Sequence, residues 1–207
     1  MIMTLGILGA SYLIGGIPTG LIAGKIFGGI DVRNHGSRNL GATNVGRVVG
    51  KLPGFLVLVI DAAKGWVPVT LFYSFWAASW AGVTPKFKIF LGVLAVAGHI
   101  WNPFLQFRGG KGVATSLGVL AGLDLRLAGG VCLIWLAVAL SSRYVSVASI
   151  SAAMAAPFLM AFWGLPISWI LGGIGISLAV IARHRENLLR LLHGEEHRLG
   201  GASRGSA

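Results

Sequence analysis

The stretch VATSLGVLAGLDLRLAGGVCLIWLAVAL, residues 113–140, decides how this chain folds. Its only charged residues are Asp124 and Arg126, near the middle. A single helix crossing a bilayer here would bury both charges, at a cost of about 2.5–3.5 kcal/mol each. We therefore predict two helices, 113–123 and 127–140, that meet at a turn around Asp124.

Composition indicates that the whole chain lies in a membrane. The 207 residues are 55% hydrophobic and 11% charged, with a mean hydropathy of +0.80. A soluble domain carries about 25% charged residues, so this chain cannot cover a surface that faces water, and it is too apolar to be disordered. The single cysteine, Cys132, excludes an intramolecular disulfide. No Lys or Arg precedes Lys25, so the first apolar run lacks the basic start of a cleavable signal peptide.

The apolar runs and the positions of the cations together predict seven spans. The runs cover residues 5–26, 52–80, 89–107, 113–123, 127–140, 145–163 and 167–181. With seven spans, twelve of the 17 Lys and Arg residues fall on one side and three, Lys86, Lys88 and Arg126, on the other. Merging the middle pair into one helix would move Arg143 and the cations of 183–198 across the membrane and remove this bias. The positive-inside rule then places the N-terminus outside and the C-terminus in the cytoplasm.

The predicted fold is an all-α, polytopic helix bundle of about seven transmembrane helices, some of them short. Residues 1–199 are predicted to form one domain, and residues 200–207 to be a flexible tail or an expression remnant. The net charge of +11 suits topology, contact with anionic lipid or an anionic substrate. Nucleic acid is not expected as a partner, because the cations do not cluster on one solvated face and no nucleic-acid motif is present.

Three polar segments fall on the predicted cytoplasmic side. The first, GSRNLGATNVGR at 36–47, combines glycines that admit an anion to the backbone, hydroxyls and amides that donate hydrogen bonds, and arginines that fork onto phosphate oxygens. The second, RGGKGVAT at 108–115, is a glycine-rich turn entering a helix, an arrangement that binds phosphate, and its lysine adds a charge. The third, RHRENLLR at 183–190, places His184 and Asn187 one helical turn apart.

Each of these features also has a simpler interpretation. The first segment could only anchor topology, the second could be an interfacial turn with snorkelling cations, and the third could be a basic helix on anionic lipid. Asp61 and Lys64, an i,i+3 pair, are interpreted as a structural ion pair near the membrane edge. His99 is interpreted as a polar contact or a kink one turn before Pro103, and Ser146 as a helix cap or a phosphate contact.

Several catalytic patterns are absent from the sequence. Segment 108–115 is not a Walker A loop, because Gly112 stands where the Ser or Thr after the lysine belongs. No G-x-S-x-G hydrolase elbow occurs, and no histidine begins the H-x4-D pattern of soluble and peripheral glycerolipid acyltransferases. The five histidines lack a framework of carboxylates or cysteines, so no metal is expected.

Together the three segments resemble the bacterial PlsY-type acyl-phosphate:glycerol-3-phosphate acyltransferases. The matching stretches are GSRNLGATNVGR at 36–47, GHIWNPFLQFRGGKGVAT at 98–115, RHRENLLRLLHGEE at 183–196 and RYVS at 143–146. The resemblance extends over nearly the whole chain, in the same order and topology. Arg38 stands where glycine is expected in this family, and Pro103 lies one residue later than expected after His99.

The resemblance implies a reaction and its partners. An acyl group moves from acyl phosphate to the 1-hydroxyl of sn-glycerol 3-phosphate, which gives lysophosphatidic acid and inorganic phosphate in phospholipid biosynthesis. The implied partners are these two substrates and membrane lipids, and no acyl-CoA, acyl carrier protein, metal or other cofactor is expected. The implied location is the bacterial inner membrane, with the active site on its cytoplasmic side.

The resemblance also assigns residues to the site. Those implied to hold glycerol phosphate and the reacting groups are Ser37, Arg47, Lys111, His184 and Asn187. Those implied to hold the donor phosphate are Asn39, Thr43, Asn44, Ser146 and the glycine turn of Gly109, Gly110 and Gly112. The acyl chain is expected in a groove between spans, open to the bilayer. The donor's own phosphate is hypothesised to accept the hydroxyl proton, with His184 as the competing base.

Two other functions stay open from the sequence. The first is a transporter or a lipid-anion binder that uses the same cationic face. Transporters often have internal repeats and ionisable residues at the bilayer midplane, whereas the polar residues here cluster at one interface, which favours an enzyme. The second is an acyltransferase with a different acceptor.

Overall fold

The structure is a computed structural model that describes residues 2–80 and 82–200. Within these residues every regular element is helical, which confirms the predicted all-α class. The prediction of a flexible tail falls mostly on residues 201–207, which lie outside the described residues.

The first predicted span is broken in two. Helix α1 covers Ile2–Gly16 and α2 covers Thr19–Gly28, where one run over 5–26 was expected. Pro18 causes the break, because it has no backbone N–H and disfavours the helical conformation at the residue before it. The interruption leaves the carbonyl of Ile17 free of helical hydrogen bonding, and a lysine side chain from another helix binds it.

The second and third spans also deviate at prolines. Helix α4 (Lys51–Val67) continues through a π-helical turn at Pro68–Phe72 into α5 (Tyr73–Ser79), as expected where proline removes a helical donor. Helix α6 (Lys86–Ile100) ends seven residues before the predicted limit of 107. A 3₁₀ turn at Pro103–Leu105 follows it. The apolar run 89–107 is thus helical only to Ile100, and the break falls beside His99 and Pro103, the two residues that interrupt the run in the sequence.

The middle of the chain forms two helices, as predicted. Helix α7 covers Val113–Leu123 and α8 covers Leu125–Ser142. Asp124 separates them: its carboxylate accepts a hydrogen bond from the Arg126 amide at 2.8 Å and pairs with the Arg126 guanidinium at 2.6 Å. The two charges that argued against one helix therefore cap the start of the second.

The remaining elements complete the bundle. They are α3 (Ala42–Val48), α9 (Val145–Phe162), α10 (Ile167–Ala182) and α11 (Arg185–Leu192). Among the described residues, five helical stretches are long and apolar enough to cross a membrane, and α10 with α11, bent by 50°, makes a sixth if counted as one. Helix α7 is apolar but has only 11 residues. The count of seven and the orientation stay predictions.

Glycines let the helices approach backbone to backbone. A Cβ atom on Gly98 of α6 would lie 1.9 Å from the Tyr12 carbonyl oxygen of α1. A Cβ atom on Gly118 of α7 would lie 1.8 Å from the Ala62 carbonyl oxygen of α4. Small residues at crossings are the usual means of close packing between membrane helices. These two crossings hold α6 against α1 and α7 against α4.

Candidate active site

A cavity of about 400 Å³ joins the three polar segments to the interior of the bundle. One end is polar and the other runs between apolar helix faces. Ten of the twelve predicted site residues line it: Ser37, Asn39, Thr43, Asn44, Arg47, Lys111, Gly112, Ser146, His184 and Asn187. Segments that lie up to 150 residues apart in the sequence therefore meet at one place.

The first segment is held in shape by Asn44, which is almost fully buried at the start of α3. Its Oδ1 accepts a hydrogen bond from the Ser37 amide at 2.8 Å. Its Nδ2 donates to the carbonyls of Val32, His35 and Asn39. All four hydrogen bonds join Asn44 to backbone groups of residues 32–39. Asn44 therefore fixes the shape of the loop that carries Ser37 and Asn39 into the cavity.

Arg38 and Pro103, the two departures from the family pattern, both lie in tight turns. Arg38 has φ +58°, in the left-handed region that favours glycine, which is the residue expected there. Pro103 opens the 3₁₀ turn after α6, where Asn102 Oδ1 accepts from the Phe104 amide at 2.9 Å. Asn102 Nδ2 also donates to the Gly16 carbonyl, which ties this turn to the end of α1.

The glycine turn does not present all its amides to the cavity. The amides of Gly109 and Gly110 donate to the carbonyls of Ile100 and His99 at 3.0 and 3.1 Å, and neither glycine lines the cavity. A Cβ atom on Gly110 would lie 2.3 Å from His99 Nε2, so the turn packs directly on that ring. Arg183 donates to both glycine carbonyls, at 2.9 and 3.3 Å. These contacts hold the turn in place on the side away from the cavity.

The front of the turn carries Lys111 into the cavity. Gly112, with φ +83°, ends the turn and starts α7. The Lys111 Nζ donates to Asn187 Oδ1 on α11. Burial lowers the pKa of Lys111 to about 8 from its ordinary 10.5, a shift that nearby Glu196 opposes.

Glu196 also belongs to the site, although the sequence alone assigned it no role beyond ending the matching stretch 183–196. Its Oε1 accepts from Asn187 Nδ2 at 2.7 Å and its Oε2 accepts from Arg190 Nε at 2.8 Å. Burial alone would raise the pKa of Glu196, but these hydrogen bonds outweigh burial and hold it below its ordinary value. The tail returns to the bundle where the Leu199 amide donates to the Arg143 carbonyl at 2.7 Å. Its place at the end of the matching stretch 183–196 was the one available signal.

His184 is buried at the bend between α10 and α11. Its Nδ1 lies 2.8 Å from the Val180 carbonyl, an acceptor, so we assign the ring proton to Nδ1 and the lone pair to Nε2. Burial, and then the charge of Lys111, lower the pKa of His184 to about 4, so its ring is neutral at physiological pH. Ser146 Oγ is also buried on the cavity wall, where it lies beside Glu196 and helps to lower the pKa of that carboxyl.

A second cluster of polar side chains, around Asp61 and Lys64, lies beneath the glycine turn. Lys64 and Asp61 form the predicted ion pair at 2.5 Å, and both side chains are buried inside the bundle, with Asp61 ten residues into α4. Their position near the membrane edge stays a prediction. Thr19 Oγ1 donates to Asp61 Oδ1 at 2.5 Å. Lys64 Nζ also donates to the Ile17 carbonyl at 2.7 Å. His99 Nδ1 lies 3.9 Å from Asp61 Oδ1, and both residues line the main cavity.

The donor set favours anions over metals. The polar end of the cavity combines the cations Arg47, Lys111 and Arg190 with amide and hydroxyl donors. Among residues 2–80 and 82–200, no three His, Cys, Asp or Glu side chains lie close enough together to hold a metal ion. Such a site can neutralise phosphate groups at one end and accept a fatty chain at the other.

Comparison with known proteins agrees with this chemistry. The glycerol-3-phosphate acyltransferase family model matches residues 5–194. Enzymes of that name from Desulforudis audaxviator (43% identity, 93% of both chains) and Moorella thermoacetica (42%, 93% of this chain and 96% of that one) are similar over most of their length. Crystal structures of PlsY, an integral membrane glycerol 3-phosphate acyltransferase, match with TM-scores of 0.87 (glycerol 3-phosphate form, 41% identity) and 0.85 (lysophosphatidic acid form, 40%), each over 95% of both chains. The chain belongs to the glycerol-3-phosphate acyltransferase family.

Proposed function

We propose that this enzyme transfers a fatty acyl group from acyl phosphate to the 1-hydroxyl of sn-glycerol 3-phosphate. The observation that carries the proposal is one cavity with a cationic end and an apolar end. A donor that is both a phosphate and a fatty acyl group fits across the two ends, and the acceptor phosphate fits beside it at the cationic end. The forms in which PlsY was crystallised, with glycerol 3-phosphate and with lysophosphatidic acid, support the acceptor and the product.

The residues divide between the two phosphates as the resemblance implies, except that Asn44, Gly109 and Gly110 support the site from behind. Ser37, Arg47, Lys111, His184 and Asn187 hold glycerol phosphate and orient its hydroxyl. Asn39, Thr43, Ser146 and Gly112 face the donor phosphate. Asn44, Gly109 and Gly110 act behind them by shaping the two loops. Several cations are needed because two adjacent phosphates repel each other unless opposite charge surrounds them.

The reaction needs no acyl-enzyme. The glycerol hydroxyl oxygen attacks the carbonyl carbon of the acyl phosphate, the new ester C–O bond forms, and the bond from that carbon to the phosphate oxygen breaks. The hydroxyl proton passes to the leaving phosphate, which departs as inorganic phosphate. The enzyme contributes orientation and charge neutralisation, which together account for large rate enhancements without a nucleophile.

The active site faces the cytoplasm in this proposal. Its support is the cation distribution, twelve against three, under the positive-inside rule. A bacterial inner membrane is the location that this orientation and the water-soluble acceptor suit. The apolar half of the cavity then lies at the depth of the acyl chains of the surrounding lipid.

The test is phosphate release from purified protein supplied with palmitoyl phosphate and glycerol 3-phosphate. We expect release that requires both substrates, and a Lys111→Met variant that loses it. Glycerol and other polyol phosphates serve as alternative acceptors, and palmitoyl-CoA, followed by release of its free thiol, as an alternative donor; each should support little or no turnover. Release that ignores glycerol 3-phosphate, or none at all, would contradict the proposal and favour a transporter or lipid-anion binder.

A further inference from the structure

The apolar half of the cavity is lined by small side chains on consecutive turns of α9. Ser149, Ala152 and Ala156 follow one another down this helix from Ser146 at the polar end. Ten residues separate Ser146 from Ala156, which corresponds to about 15 Å along the helix axis. The facing wall on α10 ends at Gly173. The small residues of α9, together with Ser177 and Gly173 on α10, therefore leave a channel that runs into the bundle.

The inner end of this channel is closed by large side chains. Each of the four helices around it continues past its last lining residue, by three or four residues, to a large buried side chain that does not line the cavity. These closing residues are Leu123 on α7, Leu127 on α8, Met160 on α9 and Trp169 on α10. All four belong to the same packed core. A Cβ atom on Gly173 would lie 2.7 Å from Met160 Sδ, so no gap separates α9 from α10 at this level.

We propose that Met160, with Leu127, forms the floor of the acyl channel and sets the longest fatty chain that the enzyme uses efficiently. The inference rests on the proposed function, because it assigns the apolar channel to the donor's acyl chain. It replaces the expected open groove with a channel that ends inside the protein. Both floor residues are fully buried in a core that is packed as densely as an organic crystal. A chain longer than the channel must displace packed side chains or leave part of itself outside.

The floor predicts a profile of activity against chain length with a sharp upper limit. A saturated chain passes from lipid or micelle into an equally apolar channel, so kcat/KM should change little with each methylene up to the length where the chain end meets Met160. Beyond it, kcat/KM falls, because overpacking a dense core is unfavourable.

The experiment measures kcat/KM for saturated acyl phosphates from decanoyl to behenoyl with three variants. Met160→Ala removes three atoms from the floor and should move the limit to longer chains by about three carbons. Ala156→Leu fills the channel one turn earlier and should move the limit to shorter chains. Met154→Ala is the matched control, since Met154 is on the same helix but 54% exposed on its outer face, and it should leave the limit unchanged. The ratio of variant to wild type at each chain length cancels the partitioning of the donor into micelles.

The outcomes separate this inference from the proposed function. If the wild type turns over acyl phosphates but neither Met160→Ala nor Ala156→Leu moves the limit, the floor does not measure the chain. The chain would then leave sideways past Leu58 and Leu136, which line the cavity and are 42% and 49% exposed. If the wild type uses no acyl phosphate of any length, the proposed function itself fails. Because a hole at Met160 destabilises the core, Ala156→Leu keeps the test decisive if Met160→Ala does not fold.

Discussion

Burial decides the charge state of the two titrating side chains at the centre of the site. It lowers the pKa of Lys111 to about 8 and that of His184 to about 4. Near neutral pH the lysine therefore carries its charge and the imidazole does not. A cation with little water around it attracts phosphate more strongly than an exposed one.

The pKa of Lys111 predicts an alkaline limit on activity. The free enzyme holds this proton below pH 8 and loses it above, and with it goes the attraction for phosphate. We expect kcat/KM for glycerol 3-phosphate to be level between about pH 7, where the substrate phosphate is fully ionised, and about pH 8, and to fall towards tenfold per pH unit above that. In a Lys111→Arg variant the guanidinium stays charged, so the fall should be absent. A fall at the same pH in Lys111→Arg would assign it to another group.

A substitution at His184 distinguishes the two candidates for the proton acceptor, the leaving phosphate and the imidazole. If the leaving phosphate takes the proton, His184→Gln, which keeps a polar side chain of similar reach, should retain kcat within about tenfold. Loss of general-base catalysis costs about 10²–10⁴-fold. A drop of that size in saturating substrates, with an unchanged melting temperature, would make His184 the base.

Arg38 is strained where the family pattern has glycine. A non-glycine residue in the left-handed region costs about 1–2 kcal/mol, so Arg38→Gly should raise the free energy of unfolding by about 1 kcal/mol once the greater freedom of glycine in the unfolded chain is subtracted. Arg185→Gly, a similarly exposed change in the first turn of α11, should lower it by about the same amount. Thermal unfolding in detergent measures both. Equal destabilisation by the two changes would show that Arg38 bears no strain.

At the scale of helices and turns, a local sequence pattern predicted one boundary correctly, whereas other breaks were not predicted. The boundary at Asp124 followed from the cost of burying two charges, and the structure confirms it. The break at Pro18 was missed, because apolar composition masked the proline. The end of α6 at Ile100 falls where His99 and Pro103 interrupt the apolar run. The short helix α3 was missed because its residues read as a loop.

The Asp61–Lys64 ion pair on α4 links this helix to the break between α1 and α2, through hydrogen bonds with Thr19 and the Ile17 carbonyl. Removing one partner of a buried ion pair leaves the other charge uncompensated, at about 3–5 kcal/mol, whereas replacing both with apolar residues is often neutral. We expect Asp61→Asn to lower the free energy of unfolding by about that amount, and Asp61→Leu with Lys64→Met to recover most of it. Unfolding in mixed micelles provides the measurement. Additive losses in the double variant would mean that the pair does not act as a unit.

At the scale of the whole molecule, the fold brings together segments that no local pattern could connect. The resemblance identified ten residues that the cavity gathers, and it also assigned Gly109 and Gly110, which lie behind the cavity lining, to the donor phosphate. Glu196 was overlooked because only the return of the chain, fixed by a hydrogen bond between Leu199 and Arg143, brings it to Asn187. Contacts of this kind depend on the packing of distant helices and are invisible in a single sequence.

The central claim is that one cavity holds both substrates and transfers the acyl group directly between them. A single-turnover experiment tests it: enzyme in excess over radiolabelled palmitoyl phosphate is mixed with glycerol 3-phosphate and quenched in acid. The account predicts that lysophosphatidic acid and inorganic phosphate appear together in equal amounts, with no label on the protein at any time. Phosphate release that precedes lysophosphatidic acid, accompanied by labelled protein, would contradict it.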